Sequence, residues 1–262
     1  MDSIELIKAN KLSAARTRLI EEVKAAPADS GKRTLLFQVL SFFGEWDKAD
    51  RHLDILAMQN PRSETGVQVY KNLIAAERER AEVVKGGRRP LFMTPTPPYL
   101  DMYFFTWRKV LEGKTDEAST LYEQIESQIP VISGTLDGKE FQGCRDIDTF
   151  LSCFLEIFVH NHYLWMPLTS LRELSVTKPR TLLDLLWTPA NMTTWEGLTA
   201  SCYLPAIYPD SSCHDNELVL TGRMTDWKDL GGGFCKGSGQ HVFLFGDEEK
   251  AILEIRDIQF TR

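Results

Sequence analysis

Apolar residues recur at helical spacing through the first half of the chain. The run 34–43 is apolar at most positions and ends at Gly44, a residue suited to the left-handed cap that closes a helix. A second apolar stripe follows Pro61 and continues to about residue 84, and a third covers residues 99–111. These stripes predict a series of amphipathic helices in this half.

An internal repeat organises these helices. Three pairs of matching residues are separated by 34 positions: Ala15 and Ala49, Leu19 and Leu53, Pro27 and Pro61. A third copy around Ala118 follows the second copy by 69 residues. A period of 34 is the spacing of tetratricopeptide repeats, although a plain array of helical hairpins would pack in nearly the same way. We therefore expect a tetratricopeptide-like α-helical array over residues 1–130, which commonly has a concave binding surface.

The second half changes from helical to strand-like patterning. Apolar residues from Ile147 to Phe158 fall at helical spacing and predict an amphipathic helix that ends near His160 and Asn161. A short helical stretch is expected at 168–174. Beyond Pro179 the short apolar or alternating segments predict strands, at 182–188, 198–204, 217–222, 240–245 and 251–260.

Turn residues predict how these strands are connected. Glu196-Gly197 and the segment 246–250 are typical of hairpin connections, so the last two strands should form a terminal hairpin. The predicted fold class is α+β: the helical array at 1–130, then a C-terminal α+β domain at 131–262 with a small antiparallel sheet.

Composition and charge narrow the class of protein. The chain has 262 residues and a formal charge of −7; residues 1–90 carry 16 basic and 13 acidic side chains, and residues 91–262 carry 14 and 24. The sign changes at a Gly- and Pro-rich segment, 86–98, which we interpret as a loop within the helical region. A mildly acidic chain is not typical of a nucleic-acid binder. No apolar run approaches the ~20 residues of a membrane helix, and no secretory signal is evident.

The cysteines and histidines offer only weak candidate sites. The five cysteines form an odd set with no CxxC pair, which favours reduced thiols in a cytoplasm. A possible zinc-binding set consists of Cys202, Cys213, His214, Cys235 and His241. Its spacing matches no usual zinc motif, so we expect no bound metal or cofactor. A catalytic Cys/His pair is open but has no recognisable nucleophile setting.

Two further segments could carry chemistry. Asp146 and Asp148 could act as a general acid and base or as metal ligands, but an N-cap and a first-turn acid of the expected helix are the commoner use of such residues. The glycine-rich segment 231–239 lacks the order of a phosphate-binding loop, so a flexible loop between strands is favoured.

Aromatic residues are dense in the second half. The group could pack a small sheet, which is favoured, or anchor a partner protein; it contains Trp187, Trp195, Trp227, Tyr203 and Tyr208. Arg223 and Asp226 could form a local brace on a turn beside this group.

Motifs along nearly the whole chain resemble those of a known protein family. They are the helical motifs around Ala15 and Ala49, Arg33-Thr34-Leu35-Leu36-Phe37, Phe43-Gly44-Glu45-Trp46, Arg80 with Gly86-Gly87 and Pro90, Asp146-Ile147-Asp148, Tyr163-Leu164-Trp165-Met166-Pro167, Asp184-Leu185-Leu186-Trp187, Leu204-Pro205-Ala206-Ile207-Tyr208-Pro209, Gly222-Arg223-Met224-Thr225-Asp226-Trp227 and Gly237-Ser238-Gly239-Gln240. The sequence thereby resembles the ImpE/SciE (TagJ) family, accessory components of bacterial type VI secretion systems.

The resemblance implies a cytoplasmic, non-enzymatic adaptor with no cofactor and no catalytic residue. Its implied partners are the small subunit of the contractile sheath and the ClpV ATPase that disassembles contracted sheaths. Candidate contact residues are Phe43, Trp46, Phe92, Tyr103 and Trp107 in the helical region and Trp187, Tyr208, Arg223 and Trp227 in the second half. The alternative is an uncharacterised enzyme with a site in the C-terminal domain, built from Asp146, Asp148, His214 or Cys235.

Overall fold

A computed structural model describes all residues from 1 to 262, and its first half is helical. Asp2 caps the first helix through a hydrogen bond from the Glu5 amide, and Asp29 caps the third in the same way through Lys32. No helix is both long and apolar enough to cross a bilayer. The α-helices are α1 (Ser3–Lys8), α2 (Leu12–Ala25), α3 (Ser30–Phe42), α4 (Trp46–Gln59), α5 (Glu64–Val84), α6 (Leu100–Leu111), α7 (Thr115–Glu126) and α8 (Glu217–Leu220).

The second half forms three antiparallel sheets. An eight-stranded sheet has the order β2-β1-β13-β6-β7-β8-β4-β5, a three-stranded sheet has the order β12-β11-β3, and β9 and β10 form a separate hairpin. The strands are β1 (Ser133–Leu136), β2 (Lys139–Gln142), β3 (Cys144–Asp146), β4 (Phe154–Val159), β5 (His162–Pro167), β6 (Leu171–Val176), β7 (Trp187–Thr194), β8 (Thr199–Pro205), β9 (Thr225–Gly231), β10 (Phe234–Gly239), β11 (Val242–Phe245), β12 (Glu248–Ala251) and β13 (Asp257–Thr261).

The large sheet separates two hydrophobic cores. In β4, Phe154 and Phe158 pack into the core shared with the helices, whereas Leu155 and Ile157 pack into a second core on the other face. Side chains alternate between the faces of a strand, so a strand that is covered on both sides is apolar throughout. The helices, the sheet and the three-stranded sheet therefore form successive layers.

The predicted helix over 147–158 is wrong because of this double burial. Its apolar residues are those of β4, which follows a turn at 147–153. A continuous apolar run fits the spacing of a buried helix as well as that of a buried strand. His160 and Asn161, the predicted helix end, form the two-residue turn between β4 and β5, and His160 has a φ of +53°.

Other predicted elements agree in part with the structure. The α+β class is confirmed, but the sheet has eight strands and is not small. Residues 168–174 form a 3₁₀ turn and the start of β6 where a helix was predicted, and 217–222 contains α8 where a strand was predicted. The hairpin at Glu196-Gly197 is confirmed by the pairing of β7 with β8.

The predicted terminal hairpin is only partly correct. β11 and β12 do form a hairpin across Gly246, but the last strand, β13, pairs with β1 and β6 in the interior of the large sheet. In the helical half, Ala15 and Ala49 are both fully buried, as close helix packing requires. The tetratricopeptide-like organisation and the boundary at residue 130 stay predictions.

Candidate functional site

Five ionisable side chains are buried where the helices meet the sheet, and we call them the buried ion network. The network contains Glu77 and Arg80 of α5, Asp146 at the end of β3, Glu156 of β4 and His241 before β11. Each is at most 7% exposed. Buried charges of this kind require partners because the cost of removing them from water is large.

Arg80 is the cation that joins the two halves. Its Nε donates to Oε1 of Glu156 at 2.8 Å, its second nitrogen donates to the other oxygen of Glu156, and the same nitrogen donates to the carbonyl oxygen of Ile207 at 2.9 Å. Burial opposes the charged form of Arg80, but Glu156 and Glu77 raise its pKa above the usual value. Arg80 and Glu156 thus form a bidentate ion pair, with two hydrogen bonds between one guanidinium and one carboxylate. This form of ion pair is strong and fixes the orientation of both side chains.

His241 links this ion pair to the strand that bears Asp146. Its Nδ1 lies 2.8 Å from Oδ2 of Asp146, and its Nε2 lies 3.1 Å from Oε2 of Glu156. Burial opposes charging of the ring, but Asp146 and Glu156 together outweigh it and raise the pKa of His241 from 6.5 to about 9. The imidazole is therefore protonated at neutral pH and acts as the second cation of the network.

The carboxylates respond to the same charges. Burial disfavours the ionised form of Glu156, yet Arg80 and His241 lower its pKa to about 2. Asp148 differs, since burial and the neighbouring charge of Asp146 raise its pKa to about 7. Asp148 accepts hydrogen bonds from the amides of Phe150 and Gly237, each at 2.9 Å.

Aromatic side chains complete the hydrogen bonding of the network. Trp187 donates from Nε1 to Glu77 at 2.9 Å, and the hydroxyl of Tyr208 donates to Asp146. The hydroxyl of Tyr163 donates to Glu156. Motifs that are far apart in the sequence thus meet at one site, and they supply Arg80, Asp146, Tyr163, Trp187, Tyr208 and Gly237 of β10.

Sequence reasoning missed the partners of these motifs. Glu156 was overlooked, although it is the only charged residue inside the apolar run of β4. Glu77 and Arg80 lie three positions apart on one face of α5, and both are buried. The network could therefore have been predicted from charged residues that interrupt apolar patterns, because such residues are buried only when they are paired.

An open groove on the helical surface leads towards the network. The groove has a volume of about 460 Å³, and we call it the Trp46 groove; its lining is Gly44, Glu45, Trp46, Asp47, Lys48, Arg78, Ala81, Glu82 and Lys85. Trp46 also lines a narrower crevice of about 100 Å³ whose walls include Glu77, Arg80 and Tyr208. The partly exposed Trp46 therefore lies between a charged surface and the buried ion network.

Three of the nine predicted contact residues lie in the interior. Tyr103 is 3% exposed, Trp187 is 1% exposed and Tyr208 is 2% exposed. Tyr103 packs edge-on against Phe154, and the ring of Tyr208 lies 4.0 Å from the ring of His241. These side chains stabilise the core and offer no surface to a partner, so their burial contradicts the prediction that they contact one.

The other six residues retain some exposed surface. Phe43 lies under the guanidinium of Arg16, Phe92 packs edge-on against Phe154, and Trp107 packs on Phe150. Trp46 lies 6.0 Å from the ring of Trp187. Arg223 and Trp227 are exposed near the β9–β10 hairpin, but the predicted brace is not formed, because Asp226 lies 3.3 Å from His214 instead.

Of the alternative enzymatic residues, the fold brings Asp146, Asp148 and Cys235 close together and leaves His214 apart. Asp146 and Asp148 cap no helix and are used in internal hydrogen bonds, and Cys235 donates to the carbonyl oxygen of Ile147. Burial raises the pKa of the Cys235 thiol, which is the opposite of activation. His214 lies apart beside Asp226. No three His, Cys, Asp or Glu side chains are grouped to hold a metal ion, and all five cysteines are free.

The glycine-rich segment forms a tight turn and part of a strand. Gly231, Gly232 and Gly233 have positive φ angles and connect β9 to β10. The hydroxyl of Ser119 donates to the carbonyl oxygen of Gly232 at 2.8 Å, which fixes this turn against α7. A flexible loop between strands was the favoured prediction for 231–239, but only its first residues connect the strands, since Phe234–Gly239 forms β10.

Comparisons with known proteins extend this description. A model of the ImpE protein family matches residues 138–259. The type VI secretion system accessory component TagJ of Pseudomonas aeruginosa is 30% identical over 256 residues, which cover 98% of this chain and 90% of that protein. A crystal structure of a protein from Vibrio parahaemolyticus has the same fold, with a TM-score of 0.90 and 22% identity over 99% of this chain and 97% of that one.

Proposed function

The chain belongs to the ImpE family, and on this premise we propose that it is a non-enzymatic adaptor of a bacterial type VI secretion system that acts in the cytoplasm. The similarity to an accessory component extends along nearly the full length of both chains, which supports the accessory role. Its proposed partners are the small subunit of the sheath and the ClpV ATPase.

The Trp46 groove is the proposed site for the sheath subunit, and it is the observation that carries this proposal. It lies between the start of α4 and the end of α5, with a partly exposed indole and charges of both signs around it. An amphipathic helix binds such a groove by placing apolar residues on the aromatic floor while its polar residues meet the rim. Tryptophan is enriched among residues that dominate binding energy at protein interfaces.

A second surface is proposed for the ATPase. In this proposal the tetratricopeptide-like region 1–130 holds the sheath subunit, and the domain at 131–262 holds ClpV through exposed residues such as Arg223. Binding both partners at once would bring the ATPase to the sheath and so regulate how the sheath is recycled. Separate surfaces would let each interaction be removed without the other.

Binding measurements on point variants test the groove. We expect Trp46→Ala to weaken binding of the purified sheath small subunit by about tenfold or more, because one central aromatic anchor is lost. Trp195→Ala is the matched control, since Trp195 is also partly exposed but lies after β7, beneath Arg262. Isothermal titration calorimetry measures both affinities, and circular dichroism verifies folding.

A charge variant separates binding from stability. Lys85 is exposed on the rim and makes no ion pair, so Lys85→Glu should leave the fold unchanged and alter the affinity for the sheath subunit. If both Trp46→Ala and Lys85→Glu bind the sheath subunit with wild-type affinity, the proposal that the groove is its binding site is overturned. If the wild-type chain binds neither the sheath subunit nor ClpV, the adaptor role itself is wrong.

A further inference from the structure

The β9–β10 hairpin leaves one long strand edge open. β9 pairs with β10 along its length, and no other strand pairs with its outer side. Four consecutive residues of β9, 226–229, are exposed, and Trp227 is 37% exposed. An open edge of this length offers unpaired backbone groups to another strand, and folded proteins usually cover or shorten such edges.

The backbone at Trp227 faces this open side. Its amide donates to the Asp226 carboxylate at 3.0 Å, which satisfies it without a bond to β10. In an antiparallel ladder, residues whose amides face one neighbouring strand alternate with residues whose amides face the other. Residue 227 is therefore positioned to exchange hydrogen bonds with a strand added at the outer edge.

We propose that two copies of this chain associate through β9, in antiparallel register about a twofold axis at Trp227. The two hairpins then form one continuous four-stranded sheet. A twofold axis perpendicular to the sheet places Trp227 opposite the partner's Trp227 and Asp226 opposite the partner's Lys228. The resulting interface has an aromatic pair at its centre and two ion pairs beside it.

The charges of β9 are what select a second copy as the occupant. Asp226 and Lys228 flank Trp227 with opposite charges. When two copies of β9 run antiparallel about Trp227, each acid therefore faces the lysine of the other copy. Lys228 makes no ion pair within its own chain, and the only ion pair of Asp226 there is with His214, at 3.3 Å. Charged residues on an edge usually prevent pairing, but in this register the same residues attract.

Charge exchange provides the decisive experiment. Analytical ultracentrifugation over a wide concentration range should find a monomer–dimer equilibrium for the wild-type chain. Lys228→Asp places like charges opposite one another at two positions and should raise the dimer dissociation constant by about tenfold or more. The double variant with Asp226→Lys restores opposite charges, and its dissociation constant should return to within about threefold of the wild-type value.

A cysteine pair tests the register itself. In a background with Cys213→Ser and Cys235→Ser, the latter because Cys235 is paired with residue 229 across the hairpin, Trp227→Cys places the new thiol opposite its own copy. This pair lies within the Cα separation that a disulfide accepts, whereas two copies of Asp229→Cys do not. Covalent dimer should form with the first variant far more than with the second. The proposal is overturned by a wild-type chain that stays monomeric, by failure of the charge-exchanged variant to recover, or by equal cross-linking at both positions. None of these outcomes affects the binding of the sheath subunit at the Trp46 groove, which lies on the helical surface.

Discussion

Arg80 has more polar contacts with the sheet than any other residue of the helical half described above. Its guanidinium touches Glu156, the carbonyl oxygen of Ile207 and the ring of His241, and the side chain of Glu77 lies 3.5 Å away. All of these groups are shielded from water, so no solvent can replace the cation if it is removed. A single residue thereby controls the charge balance of the whole network.

Arg80→Met should destabilise the protein by about 3–5 kcal/mol, because Glu77 would lose its buried cation and Glu156 would keep only His241. Urea unfolding followed by fluorescence measures the change in the free energy of unfolding. Arg78→Met is the matched control, since Arg78 is on the same helix and its ion pair with Asp47 is exposed to solvent. The control should lose less than about 1 kcal/mol, and equal losses in the two variants would contradict the central role of Arg80.

At the scale of elements, helices were predicted well and the buried strands were not. The helices of the first half have one polar face, so their period is visible, and glycine marks ends such as Gly44, with a φ of +63°. β4 has no polar face because both sides are covered, and its residues fitted a helix equally well. The small-sheet prediction failed partly for the same reason, since β4 and β5 lie in apolar runs, and partly because β1 and β2 are too short and polar to give a strand pattern.

The site was predictable only as separate motifs. Asp146 and Tyr208 were singled out, but their meeting with Arg80 depends on contacts between residues more than sixty positions apart. Nothing in local spacing specifies such contacts. The buried partners Glu77 and Glu156 could have been found from their place within apolar patterns, whereas the pairing of each acid with its cation could not.

The β10 strand allows a sharp test of how closely the elements pack. A Cβ atom on Gly237 would lie 2.4 Å from the ring of Tyr208, so Gly237→Ala should cost about 1–3 kcal/mol through overpacking. Gly66→Ala is the control in the first turn of α5, where nothing lies within 4 Å, and it should be neutral or stabilising by up to about 1 kcal/mol. Thermal unfolding of both variants measures these effects; a tolerated alanine at 237 would show that Tyr208 can move aside.

At the scale of the whole molecule, helices and sheet share one hydrophobic core. Its 32 buried residues include helical side chains such as Leu36 and Tyr103 and strand side chains such as Phe154 and Trp165. A helical region that was cut from the sheet would expose much of this apolar surface. The two regions therefore depend on one another for stability, whatever their separate roles in binding.

Residues 1–130 expressed alone should not unfold cooperatively. We expect reduced helicity and a broad thermal transition by circular dichroism, because the apolar face of α6 loses Phe150, Phe154 and Trp165. The full chain is the control and should give a sharp transition. A sharp transition of the fragment would mean that the repeat region folds independently and that the boundary at residue 130 is also a boundary of stability.

The position of β13 has a consequence for how the protein is made. This strand follows all others in the sequence, yet it lies between β1 and β6 inside the large sheet. Until it leaves the ribosome, β1 and β2 have nothing that joins them to the rest of the sheet, and an edge of β6 stays open. The nascent chain thus carries open strand edges until β13 has been translated, and a chaperone would protect it best during that interval.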